Sequence, residues 1–109
     1  MLKANITQRG FFYYKFEDRY GASCSIQNSS LATEDAIWFG IDDPEPKILA
    51  SKIKEVLGSE ADDGDGTGWV PYPIPNDVLI NTRMHLTRSQ VEQILPVLQR
   101  FVDTGSIAP

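Results

Sequence analysis

A chain of 109 residues with a formal net charge of −5 is long enough for one modest core. It is too acidic for generic affinity to a nucleic-acid backbone, which Lys and Arg side chains must neutralise. Cys24 is the single cysteine, so no intrachain disulfide can form and a reducing compartment is expected. No apolar run approaches the roughly 20 residues of a spanning helix, and MLKANITQRG lacks the apolar stretch of a signal peptide. A cytoplasmic location follows as the expectation.

In chain order, Phe11 to Phe16 is an aromatic run broken only by Lys15. In a strand, Phe12, Tyr14 and Phe16 share one face and Phe11, Tyr13 and Lys15 the other. Glu17-Asp18-Arg19-Tyr20-Gly21 is turn chemistry, and Ala22 to Asn28 returns as the second strand of a hairpin. Cys24 and Ile26 then lie on one face, with Ser23, Ser25 and Gln27 on the other. Asn28 to Asp35 is a polar connector, and Ala36 to Ile41 is a third strand that carries Trp38. Asp42-Asp43-Pro44-Glu45-Pro46 ends that strand.

The spacing of Leu49, Ile53, Val56 and Leu57 predicts a short peripheral helix from Lys47 to Leu57, capped by Gly58. SEADDGDGTG, Ser59 to Gly68, is an acidic loop that imitates the opening of a calcium loop. Its twelfth position falls on Ile74, which cannot coordinate a cation. Pro71, Pro73 and Pro75 favour an extended surface path. A last strand is expected from Val78, with Val78, Ile80, Thr82 and Met84 on one face and Leu79, Asn81, Arg83 and His85 on the other.

Thr87-Arg88-Ser89-Gln90 has the form of a capping box. Val91, Ile94, Leu95, Leu98, Phe101 and Val102 follow as the apolar stripe of an amphipathic helix. Gly105 stands at its C-terminal cap, and Pro96 lies inside, where it removes one helical hydrogen bond and predicts a bend. The expected class is α+β. One domain, 1–109, would hold a small antiparallel sheet with the C-terminal helix packed on one face, and residues 47–65 would form a variable helix-loop insertion.

No residue pattern points to catalysis. One His and one Cys cannot build the usual zinc site. There is no phosphate loop or dinucleotide fingerprint, and Cys24 with His85 lacks a third group. A binding protein is expected, without cofactor or metal. The candidate ligand residues are Arg83, Asn81, Thr82 and His85 on the last strand, Trp38 for stacking, and Arg19 and Arg88 at the hairpin tip and helix start. A guanidinium can clamp a phosphate, an amide can read a base or ribose edge, and an indole can stack on a ring.

Three stretches carry a resemblance: FEDRYGASCSIQNSSLATEDAIWFGIDDPEP from Phe16 to Pro46, GTGWVPYPIP from Gly66 to Pro75, and NTRMHLTRSQVEQILPVLQRFVDTG from Asn81 to Gly105. Together they resemble a family of small phage and prophage proteins, the anti-Thoeris sponges that sequester cyclic ADP-ribose-type immune signals. The resemblance spans most of the chain except Lys47 to Asp65. It implies binding without catalysis in the host bacterial cytoplasm, a cyclic nucleotide ligand (a cyclic ADP-ribose isomer or a cyclic oligonucleotide), and a homo-oligomer, dimer or hexamer. No single residue's role is carried over from it. The competing expectation is a phage accessory module that inhibits a host protein, motivated by the Phe11–Phe16 run and the Trp69–Pro75 segment.

Overall fold

The computed structural model describes residues 1–109. In chain order the elements are β1 (Ala4–Ile6), β2 (Phe12–Glu17), β3 (Ser23–Asn28), β4 (Ala36–Ile41), β5 (Lys47–Leu49), α1 (Ile53–Leu57), β6 (Trp69–Pro71), β7 (Arg83–Thr87) and α2 (Arg88–Thr104). The class is α+β, as expected. The chain divides into two compact units: residues 1–42 with 82–109, and residues 43–81, which enter between the adjacent strands β4 and β7.

The first unit is a five-stranded antiparallel sheet in the order β1-β2-β3-β4-β7. The expected hairpin is β2–β3. At its tip the Asp18 carboxylate accepts from the N–H groups of Tyr20 and Ala22, at 2.8 and 3.0 Å, which closes the turn with its own side chain. The three-residue strand β1 was not foreseen, because Ala-Asn-Ile is too short to show an alternation.

Strand β7 begins at Arg83 and not at Val78. A strand persists only where a neighbour supplies hydrogen bonds. The register pairs Gly40 with Arg83 and Ala36 with Thr87, and β4 ends at Ile41 before Pro44. Residues 78–82 have no partner strand and lie outside any element. The proposed row of Asn81, Arg83 and His85 on one strand is thereby corrected to Arg83 and His85.

The capping box is present in full. Thr87 Oγ1 accepts from the Gln90 N–H at 3.2 Å, and the Thr87 N–H donates to Gln90 Oε1 at 2.9 Å. The helix runs through Pro96 to Thr104, and Gly105 closes it in the left-handed conformation with its N–H on the Phe101 carbonyl. The expected packing of this helix on the sheet is not observed. Helix α2 buries none of its residues and meets the sheet chiefly at its own junction with β7. No residue separates Thr87 from Arg88, whereas βα connections that turn a helix back onto its sheet take about 2–6 residues.

The second unit has its own small core. Strands β5 and β6 pair antiparallel with Ile48 opposite Val70, and Ala50, Ile53 and Val70 are buried with Ile48 and Ala61 against them. The helix expected from Lys47 is therefore a strand in its first third, and only Ile53–Leu57 is helical. Pairing with Trp69–Pro71 overrides the helical spacing there, since three residues on each side gain ladder bonds. Pro71 takes a place in the short pairing at the end of β6, a position tolerated at a sheet edge.

Candidate functional site

The register sorts the sheet into two unlike faces, because directly opposed residues in an antiparallel pair share a face. One face carries the row Asn5–Tyr13–Gln27–Trp38–His85 and, beside it, Lys15–Ser25–Gly40–Arg83. The other carries Ala4–Tyr14–Ile26–Phe39–Met84, flanked by Phe16–Cys24–Ile41 and by Ile6–Phe12 and Ile37–Leu86. The polar side chains collect on the first face, which is the candidate site.

At its centre Trp38 and His85 stack across β4 and β7, ring centroids 4.0 Å apart and planes within 5°. His85 Nε2 lies 2.8 Å from Ser29 Oγ, which fixes the ring's rotation. One strand position away, the Arg83 guanidinium stands 5.5 Å from the centre of the indole and donates to Gln27 Oε1 at 3.3 Å. Arg83 is in no ion pair; its acceptor is a neutral amide. A cation held that way retains donors and charge for an anion.

Asp42 occupies the far end of this face. Its carboxylate accepts from Lys15 Nζ, from Ser23 Oγ at 2.9 Å and from Ser25 Oγ at 2.5 Å. Burial by itself would raise the carboxyl, but the hydrogen bonds from Lys15, Ser25 and Ser23, with the Lys15 charge, outweigh it and hold Asp42 below the ordinary value of 3.8. Lys15 is neutralised by this contact, so the uncompensated positive charge on the face lies at Arg83.

Two adjoining depressions open here. The first, about 440 Å³, is lined by Thr7, Tyr13, Lys15, Ser25, Gln27, Asp42 and Arg83. The second, about 350 Å³, shares Thr7 and Gln27 and adds Arg9, Phe11, Ser30 and Trp38. Arg9 lies 5.5 Å above the Phe11 ring and is also in no ion pair. Gly40 lets β4 approach the Thr82–Arg83 backbone closely. It sits at φ 149°, and a Cβ there would meet the Thr82 carbonyl oxygen at 2.6 Å.

Of the sequence candidates, Arg83, His85 and Trp38 come together. Thr82 borders them through its backbone against Gly40. Asn81 belongs to the other unit. Arg19 lies at the hairpin tip over its own Tyr20 ring, and Arg88 pairs with Asp35 at 3.6 Å at the opposite end of the sheet. Lys15, Ser25, Gln27, Asp42 and Arg9 were missed. The alternation Ser23-x-Ser25-x-Gln27 against Tyr13-x-Lys15 was legible as a polar face, but the register that sets it beside Trp38 was not.

Comparison with known protein families, characterised proteins and solved structures returns no match to this chain.

Proposed function

We propose that the polar face binds a small ligand that combines a flat ring with an anionic group, and that it holds this ligand without converting it. The observation that carries the reading is the Trp38–His85 stack with the Arg83 guanidinium over the indole. A ring laid beside this platform meets aromatic surface, and a phosphate on it reaches a cation that no carboxylate has claimed. Adjoining depressions of about 440 and 350 Å³ suit a nucleotide-sized molecule, and Arg9 offers a second cation at the Trp38 side.

With the resemblance to the anti-Thoeris sponges, the specific form of this proposal is sequestration of a cyclic nucleotide immune signal in a bacterial cytoplasm, a cyclic ADP-ribose isomer before a cyclic oligonucleotide. No helix of the chain is long and apolar enough to cross a membrane. Isothermal titration with cyclic ADP-ribose isomers, cyclic dinucleotides and cyclic trinucleotides tests it. Binding of one of them is expected, lost on Arg83→Ala and weakened on Trp38→Ala, with the ligand recovered chemically intact after denaturation. No heat from any of them overturns the sponge reading, and a converted ligand overturns its non-catalytic part.

A further inference from the structure

The formal charge of −5 is not spread over the chain. Residues 43–81 hold eight Asp and Glu against three Lys, whereas the sheet-and-helix unit holds seven acidic and seven basic residues. The smaller unit therefore carries the whole excess. Two of its lysines are already paired, Lys52 with Glu55 and Lys54 with Asp63, each at 3.6 Å.

A depression of about 510 Å³ opens within that unit. Ile53, Leu57, Ala61, Pro71 and Pro73 give it an apolar lining, and Glu60 and Asp62 are its charged members. Neither carboxylate is in an ion pair. The apolar part is preset, because proline fixes its own backbone and Ile53 is held in the buried cluster, so little freedom is lost on binding. Pro71 also shares one face of the β5–β6 pair with Trp69 and Leu49, opposite the Ile48–Val70 pair. Trp69 is 65% exposed and Leu49 41%. An exposed indole anchors protein interfaces more often than most side chains, and its ring face attracts cations.

We infer that residues 43–81 dock a basic segment of a partner protein. An aliphatic side chain of that segment enters the depression, an Arg or Lys beside it meets Glu60 and Asp62, and the rest lies along Trp69 and Leu49. Charge selects this occupant. A second copy of the chain offers only a neutral unit or an equally acidic one, and a nucleic-acid backbone is repelled. The apolar anchor is required as well, since exposed ion pairs contribute little alone. The apolar surface runs past the depression to Trp69, which a chain segment covers and a small cation does not. All of these residues lie in the smaller unit, so the inference stands apart from the reading of the polar face.

A library of random short peptides displayed on phage, selected on the immobilised full chain, provides the probe. Enriched peptides are expected to combine Lys or Arg with an aliphatic residue more often than the unselected library does. The best of them, made with a fluorescent label, should bind more weakly as salt rises. Its affinity should fall about fivefold or more for the double variant Glu60→Gln, Asp62→Asn at low salt. Amide shifts on the unaltered chain keep the test open should the variant fail to fold, and they should move at Leu57, Ala61, Asp62 and Trp69. Enrichment without basic residues, no enrichment at all, affinity indifferent to a folded double variant, or shifts confined to residues outside 43–81 overturns the inference. Equal binding by free arginine or a small alkylamine overturns the protein segment as occupant.

Discussion

Residues 43–81 enclose an apolar cluster, whereas the larger unit of sheet and helix fully buries no apolar side chain but Cys24. The smaller body owes its closure to a hairpin, β5–β6, whose Ile48–Val70 pair has Ala50 and Ile53 folded onto it by the turn before α1. The larger body has more apolar surface but no third element to lay over it. Apolar content alone therefore does not predict burial. What decides is whether the connections allow a second layer to reach the first.

The sharpest way to probe that contrast is to damage the closed core. Ile53→Ala should cost about 2–5 kcal/mol, read by urea unfolding, because that side chain is buried in the closed cluster. Phe39→Ala, on the apolar sheet face, should cost less than its ring size suggests, because the ring is only partly buried against Phe16. A larger loss for Phe39→Ala than for Ile53→Ala would remove the distinction.

Next in size is Gly40→Ala. The new methyl would press on the Thr82 carbonyl and the Arg83 backbone, in a conformation that L side chains rarely adopt. A loss of about 1–3 kcal/mol is expected, read as a lower unfolding midpoint with loss of slow-exchanging amides in β4 and β7. An unchanged midpoint would show that β4 and β7 approach less closely than described.

Thr87→Ala should cost about 1 kcal/mol. It removes the cap that satisfies the Gln90 N–H, and α2 buries nothing in its own chain to compensate. Amide exchange in the first turn of α2 should accelerate in dilute solution. No change there would mean that packing already holds the helix.

The smallest effect belongs to Asp42. Its folded carboxyl lies below 3.8, so the folded state favours the ionised form. That contribution is complete above 3.8 and is lost as pH falls through the lower folded value. Asp42→Asn should lower stability near neutrality and flatten the acid limb below 3.8, so that the two curves converge at low pH. An acid limb identical in both proteins would show that Lys15, Ser23 and Ser25 do not stabilise the charge.

How much was readable depended on range. The hairpin, the Trp38 strand, the capping box and the Gly105 cap are specified within a few residues, by alternation, turn chemistry and a Thr-Gln pair three apart. The Lys47–Leu49 strand and the late start of β7 were hidden, because each depends on which distant strand supplies hydrogen bonds. The site divides likewise. Arg83, His85 and Trp38 stood out as side chains that can clamp or stack, while Lys15, Ser25, Gln27 and Asp42 joined them only once five strands were set in register.

Local chemistry in the chain was thus enough to establish an α+β protein with one amphipathic, well-capped helix and a two-sided sheet, since propensities, caps and periodicity act over one or two turns. Two matters needed the three-dimensional arrangement. The stack of Trp38 on His85 is a cross-strand contact between residues 47 positions apart, fixed by strand order and register. The uncovered apolar face reflects a helix joined to its strand without a loop, so its stripe, plain in the sequence, has no surface of its own chain to meet.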